Sequence, residues 1–227
     1  MNQIWCSARV WLAGGLAWVT PLPAGEVVAQ DAFRNGLAAW VVEQQPGGTV
    51  EAKAGVLTIA DRAGCTVWWC ERLEAPLVIR YTATMKREAR VSDLNCFWMA
   101  VDPKRPDNLF APGHGRDGRF GTYDGLATYY VGCGGNVNTT TRFRRYDGRG
   151  ARLLLPQNDL KEPAALLEAE RAYRIEITVD GDGRTTWARD GMVWFTYVDL
   201  EPLRAGWFGF RTVDSRIEIR DFVIERL

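Results

Sequence analysis

From residue 31 onward, apolar and polar positions alternate with a period of two. Residues 173–180 read Tyr-Arg-Ile-Glu-Ile-Thr-Val-Asp, so Tyr173, Ile175, Ile177 and Val179 share one face, and Arg174, Glu176, Thr178 and Asp180 the other. That period is the signature of a strand with one buried face. Leu77, Ile79, Tyr81, Ala83 and Met85 make a second such face, and Val193, Phe195 and Tyr197 a third. Near the C-terminus Ile217 and Ile219 share one parity while Phe222 and Ile224 share the other, which predicts a bulge near Arg220-Asp221. Asp180-Gly-Asp-Gly183 and Asp190-Gly191 supply the residues that hairpin turns require. Only residues 161–172, with Ala164-Ala-Leu-Leu-Glu-Ala, carry a helical pattern, and they predict one short helix. Many short strands punctuated by Gly, Asp and Pro predict an all-β fold, a two-sheet antiparallel jelly-roll sandwich.

The first 29 residues follow another pattern. Arg9 precedes an apolar run from Val10 to Val19, a Pro-rich patch follows, and Val27-Val-Ala29 closes the segment. This is the layout of a secretory signal peptide. Cleavage is expected after Ala29, with Ala24 as a second candidate. The apolar run is shorter than the ~20 residues that span a bilayer. The expected organisation is a signal peptide at 1–29 and one domain at 30–227, exported to the periplasm or beyond, with no membrane span in the mature chain. No linker or clear repeat divides it.

Composition narrows the partners. The chain has 227 residues, 47% hydrophobic and 25% charged, which suits one packed core and excludes a disordered chain. Lys and Arg together number 28, as do Asp and Glu, so the net charge is zero and no overall field draws nucleic acid. Export leaves Cys65, Cys70, Cys96 and Cys133 in an oxidising compartment. Cys65 and Cys70 lie too far apart along an extended strand, about 17 Å, for a direct bond. Cys96–Cys133 across neighbouring strands and four free buried thiols both stay open. With one His and no Cys-x-x-Cys, zinc is not expected.

The cadence "YRIEITVDGDGRTTWARDGMVWFTYVD", then "GWFGFRTVDSRIEIRDFVIERL", resembles the concanavalin A-like lectin/glucanase superfamily. The opening "DAFRNGLAAWVVEQQPGGTVEAKAGVLTI" is similar to secreted sugar-active domains of that superfamily, the keto-disaccharide hydrolase group among them. "SDLNCFWMAVDP" and "TYYVGCGGNVNTTTRFRRYDG" look like an uncharacterised bacterial family of secreted domains within it. The resemblance implies a concanavalin A-like jelly roll whose concave face meets a carbohydrate. It implies no particular reaction.

Four stretches carry candidate chemistry. Residues 129–146 crowd amides, hydroxyls and Arg around aromatic rings, the mixture that sugar sites use. Asn136 and Asn138 are expected to orient hydroxyls, Arg142 and Arg144 to grip a carboxylate, and Tyr129, Tyr130 or His114 to move a proton. In Ser92–Asp102, apolar on both faces, Asp93 and Asn95 are hydrogen-bonding candidates and Trp98 a stacking platform. In Gly206–Thr212, Trp207 and Arg211 share a face with Gly209, so they line the groove unless Arg211 pairs with a strand carboxylate such as Asp93. The long loop from Asp102 to Asp124 holds His114, the single His, flanked by Arg116, Arg119 and Tyr123.

The missing motifs weigh as well. No Glu-x-Asp-x-x-Glu strand sets a close carboxylate pair, and Asp93 with Asp102 is the nearest substitute. Asp180–Gly183 is too short for a calcium loop and reads as a turn; no cofactor is expected, and calcium has no supporting motif. Two classes follow. One is an enzyme on a polysaccharide or oligosaccharide, with elimination from a uronate favoured over hydrolysis. The other is a non-catalytic, lectin-like glycan-binding module. Of the 28 basic residues 24 are Arg, which suits recognition of a carboxylated sugar.

Overall fold

The computed structural model describes residues 25–227; most of the segment read as a signal peptide, 1–24, lies outside the described residues. Strands β1 (Val27–Asp31), β2 (Trp40–Gln44), β3 (Thr49–Lys53), β4 (Val56–Ala60), β5 (Cys65–Trp69) and β6 (Leu73–Glu74) come first. β7 (Leu77–Met85), β8 (Leu94–Val101), β9 (Ala127–Gly134), β10 (Thr140–Asp147), β11 (Arg152–Leu153) and β12 (Asp159–Leu160) follow. β13 (Ala172–Val179), β14 (Arg184–Arg189), β15 (Met192–Val198), β16 (Ala205–Thr212) and β17 (Arg216–Arg226) complete the order.

They form two antiparallel sheets. The first runs β15-β14-β13-β7-β17-β4-β3, with β1 also on β17. The second runs β11-β10-β9-β8-β16-β5-β2, with β12 on β10 and β6 on β16. The alternating apolar faces read from the sequence meet between them. Ile79, Tyr81, Ile175, Ile177 and Ile217 come from the first sheet, and Val67, Trp98, Val131, Phe208 and Phe210 from the second. Phe210 stacks on Trp40 at 5.4 Å and meets Tyr81 edge-on at 4.9 Å, arrangements that aromatic quadrupoles favour. The fold is the two-sheet sandwich expected.

Local expectations fare differently. The bulge near Arg220 is present: the β17–β7 register shifts between Arg220 and Val223, and Asp221 has φ +55°. Asp190 and Gly191, both at positive φ, close the two-residue β14–β15 hairpin. A second bulge has no sequence signal. Met99 sits at φ +51°, so Trp98 and Met99 both turn inward, while Phe97 and Ala100 face out. Strict alternation through β8 would put Met99 on the face of Phe97, and this bulge breaks it. The expected helix at 161–172 reduces to one 3-10 turn, Pro163–Ala165. The buried Arg189 guanidinium takes the carbonyls of Ala164, Ala165 and Leu166, and the Thr141 hydroxyl takes Ala165 as well. Those carbonyls need no helical partners.

The four cysteines among the described residues are free. Cys96 lies opposite Val131 and Cys133 opposite Leu94, and burial raises both thiols, that of Cys96 to about 12. β1 starts at Val27, ahead of the domain start expected at residue 30, and Ala29 pairs with Ile224. Among the described residues no helix is long and apolar enough to cross a membrane.

Candidate functional site

Seven strands of the second sheet carry one continuous row of registered residues. It runs Glu43, Thr66, Arg211, Asn95, Gly132 and Arg142, and ends at Asp159 on β12. Phe208 and Phe210 of β16 face inward, so Arg211, and with it the row, faces away from the sandwich interior. The adjacent row on the same face is Val41, Trp68, Gly209, Phe97, Tyr130 and Arg144.

Residues 102–126 cover part of this face. Leu109, Tyr123 and Leu126 join Trp68, Phe97, Trp207 and Tyr146 in a second apolar cluster outside the sandwich. Buried Glu43 anchors the cover: Oε2 accepts from Trp68 Nε1 at 2.9 Å, and Oε1 accepts from Arg116 Nε at 3.1 Å. The long loop is a built wall. His114 belongs to it, its Nδ1 accepting the Arg116 amide at 3.1 Å. Burial, then the Arg116 charge, lowers the His114 pKa.

Beside this wall the face opens into a pocket of ≈ 280 Å³. Asp93, Asn95, Tyr130, Asn136, Arg142, Arg144 and Arg211 line it, together with Arg90, Phe120, Gly132, Val137 and Thr140. Gly132 interrupts the polar row, and Tyr130 leans over the gap: a Cβ on Gly132 would stand 3.2 Å from the phenol oxygen. Burial pushes the Tyr130 phenol well above its ordinary pKa, so it stays neutral.

Charge in the pocket is unbalanced. Arg142 makes a two-point pair with Asp159, at 2.7 and 3.2 Å. Arg90 lies 3.3 Å from Asp93 and 3.8 Å from Asp214. Arg144 and Arg211 pair with no carboxylate among the described residues. Arg211 is 0% exposed. Its Nη1 donates to Thr66 Oγ1 and to the Gly118 carbonyl, both at 2.9 Å, and its guanidinium lies against Phe120 and Tyr123. Among the described residues its Nε and Nη2 have no acceptor, and Asn95 Oδ1 has no donor. A buried charge without a counter-ion is costly, and a planar carboxylate is the group whose geometry a guanidinium matches. The one carboxylate lining the pocket, Asp93, is engaged by the Ser92 hydroxyl, Arg90 and the Asn95 amide.

The β9–β10 connection forms the rim. Asn136, Val137 and Asn138 have φ of +51, +58 and +56°, three successive left-handed residues without a glycine among them. Such strain persists only where surroundings hold it. Asn138 does so, donating Nδ2 to the Leu167 carbonyl at 2.8 Å and accepting the Leu167 amide at 2.9 Å.

Seven expected site residues thus come together: Asp93, Asn95, Tyr130, Asn136, Arg142, Arg144 and Arg211. Five do not. Trp98 faces the sandwich interior and donates to Thr185 Oγ1 at 2.9 Å, so it is no stacking platform. Its partner Tyr129 also faces inward, donating to Asp199 Oδ2 at 2.8 Å. Trp207 lies beneath the 102–126 wall, Asn138 is a brace, and His114 opens into a different cleft with Asp102, Arg105 and Arg149. Asp102 therefore forms no pair with Asp93, and Arg211 does not pair with it either. Arg90, Phe120, Gly132, Val137 and Thr140 were missed; of these only Gly132, sharing parity with Tyr130, left a trace in the sequence.

A wider hollow of ≈ 830 Å³ lies on the outer face of the first sheet. Arg80 pairs with Glu176 and Glu225, Arg171 pairs with Glu168 and Asp190, and Arg174 and Asp221 are exposed. It leaves no unmatched buried group and is not the site.

Residues 59–222 match the family described as "Domain of unknown function (DUF6250)". No curated protein matches by sequence. Among solved structures, a protein of unknown function with galectin-like fold from Bacillus subtilis is similar, with TM-score 0.68 at 18% identity over 89% of this chain and 97% of that one. The carbohydrate binding module CBM66 from Bacillus subtilis gives 0.57 at 12%, over 83% and 96%. A prokaryotic β-1,3-1,4-glucanase (lichenase) derived from a mouse hindgut metagenome gives 0.53 at 14%, over 87% and 98%. At these identities the likeness is one of fold.

Proposed function

The chain belongs to the DUF6250 family, and we propose that the pocket on its second sheet recognises a carboxylated sugar, a uronate, within a glycan. One observation carries this reading: Arg211 is fully buried, lines the pocket, and holds two guanidinium donors without an acceptor among the described residues. Arg144 adds a second cation free of carboxylates among the described residues. Asn95 Oδ1 and the Tyr130 hydroxyl supply partners for sugar hydroxyls. The fold's likeness to a carbohydrate binding module and to a glucanase supports a carbohydrate ligand. The leader-like pattern at residues 1–29 supports a meeting outside the cytoplasm.

Chemistry is a second reading, and the pocket limits it. Hydrolysis by paired carboxylates has little support, because Asp93 stands alone. Elimination from a uronate needs its carboxylate neutralised, the proton at C5 taken, and the C4–O bond broken with a proton given to the leaving oxygen. Arg211 and Arg144 suit the first task, and neutral Tyr130 suits the last. No pocket group is free to take the C5 proton, since Asp93 is engaged by three donors. Recognition without turnover is therefore the favoured function.

The test is calorimetric titration of the chain with oligogalacturonate, oligoglucuronate and neutral β-glucan, with ultraviolet absorbance followed in parallel. Binding of a uronate oligomer that Arg144→Gln weakens at least tenfold is expected, with flat absorbance. Equal binding of neutral glycan overturns the uronate reading, and rising absorbance at a double bond establishes elimination instead.

A further inference from the structure

On an open sheet face a sugar polymer has room to lie across several strands. Here it does not. The segment 102–126 occupies that face over Trp68 and Trp207 as a second apolar core, and residues 116–118 tie it down. Arg116, itself buried, is tied to Glu43, and the Asp117 carbonyl accepts from Gln45 Nε2 at 2.7 Å. Gly64 and Gly118 bring their backbones together so closely that a Cβ on Gly118 would lie 2.4 Å from the Gly64 carbonyl oxygen. The Gly118 carbonyl in turn receives Arg211 Nη1. The wall therefore ends on the residue read as the carboxylate partner. Phe120 continues it down the side of the pocket.

On the opposite flank stands the left-handed turn, with Val137 62% exposed at its crest and Asn138 clamped to Leu167. Between wall and turn the pocket holds ≈ 280 Å³. Pockets that enclose drug-sized ligands run from about 300 to 1,000 Å³. The space suits one pyranose ring and little of a second.

We infer that the protein reads the end of a glycan chain, seating a single terminal uronate residue between Phe120 and the Asn136–Val137 turn, and does not grip the interior of a polymer. The inference rests on the uronate reading above and adds the mode of engagement. A terminal residue presents one ring with its carboxylate and free hydroxyls, and it enters without its polymer having to cross either barrier. The strain in the rim has a purpose on this account. Three left-handed residues turn the β9–β10 connection sharply enough to stand at the pocket edge, and the Leu167 brace keeps them there.

The experiment titrates the chain with galacturonate and its oligomers of increasing length, and measures how many protein molecules each oligomer takes up. The expected result is one protein per oligomer at every length, affinity that levels off after the first one or two residues, and competition by the free monosaccharide. A number of bound proteins that grows with oligomer length, with no competition by galacturonate, overturns the end-reading and leaves the uronate pocket standing. One-per-chain binding of neutral oligosaccharides, with no uronate bound, removes the uronate reading and keeps the end-reading. Absence of binding to any of these glycans overturns both. A variant with Phe120→Ala, a half-buried position, serves as the second probe. It is expected to raise the number of proteins bound per long oligomer, and an unchanged count argues against Phe120 as a barrier.

Discussion

Tyr130 bends its ring back over Gly132, two residues further along the same strand, and the pocket floor exists because Gly132 has nothing to put there. A Cβ at this position would meet Tyr130 Cε1 at 3.1 Å and the phenol oxygen at 3.2 Å. Gly132→Ala is expected to fold, at a cost of roughly 1–3 kcal/mol for overpacking. It should displace the phenol and lower glycan affinity by more than its stability loss would suggest. Thermal unfolding and titration on the same variant separate the two effects.

Arg211 should behave as a residue held for a ligand at the expense of the empty fold. Among the described residues its buried charge has no counter-ion and meets two hydrogen-bond acceptors and two aromatic faces. Removing such a charge relieves several kcal/mol of desolvation, while the lost hydrogen bonds are worth about 1 kcal/mol each. Arg211→Met is expected to leave the melting temperature unchanged or raise it, and to abolish the stabilisation that a uronate ligand gives the native chain. A steep fall in stability without ligand would show that Arg211 is a structural strut.

Glu43 is the converse case. It is 6% exposed, and its carboxylate joins Trp68 of the sheet to Arg116 of the wall. Glu43→Gln strands the Arg116 charge among buried groups, and breaking a buried pair on one side typically costs about 3–5 kcal/mol. Urea unfolding should register that loss. Hydrogen exchange should show residues 109–123 opening before the sandwich does.

The same wall carries a pH signature. His114 has its pKa lowered by burial and by Arg116, so folding favours the neutral ring. That contribution is fully present above the unfolded value near 6.5 and fades as pH falls below it toward the folded value. Replacing His114 by Gln removes the titration. The difference in melting temperature between the two proteins should therefore narrow as pH drops from 7 to 5. A constant gap would mean the ring does not titrate with folding.

The N-terminal strand gives a simpler test. Chains starting at Gly25 and at Gln30 differ by Val27, Val28 and Ala29 of β1, of which Val27 pairs with Glu225 and Ala29 with Ile224. The shorter chain keeps Asp31, whose carboxylate accepts from Trp40 Nε1 at 2.7 Å. Loss of a few edge pairs should cost about 1–2 kcal/mol, read as a lower melting temperature. Equal stability would put the working boundary at Ala29.

How far the site was legible follows from what parity can and cannot carry. Trp207, Gly209 and Arg211 on one face, with Phe208 and Phe210 on the other, is a statement about one strand, and it holds. Tyr129 and Tyr130 are neighbours, so one faces in and the other out, and their own sequence does not say which. Register decides: Tyr129 lies opposite Trp98 and Tyr130 opposite Phe97. The row from Glu43 to Arg142 needs five strand pairings to be in phase, and no local pattern encodes that. The bulge at Met99 resets one of those strands with no glycine to announce it. The loop bearing His114 is rich in Gly and Pro and shows no strand period, yet Leu109, Tyr123 and Leu126 make it a core of its own.

Trp98 and Tyr130 lie one strand apart on opposite faces of the second sheet, so a paired substitution distinguishes core from site. Trp98 Nε1 donates to Thr185 Oγ1 inside the sandwich, and Trp98→Phe leaves that hydroxyl with one partner fewer and a smaller ring in its place. A loss of roughly 1–3 kcal/mol in unfolding free energy is expected, with glycan affinity intact at temperatures where the variant is folded. Tyr130→Phe removes only a hydroxyl that has no hydrogen-bond partner among the described residues. Its unfolding free energy should change by no more than about 1 kcal/mol, because no protein hydrogen bond is lost. Its affinity for a uronate oligomer should fall, because a sugar hydroxyl loses its partner. If Trp98→Phe weakens binding and Tyr130→Phe does not, the ligand sits elsewhere than on the outer face of this sheet.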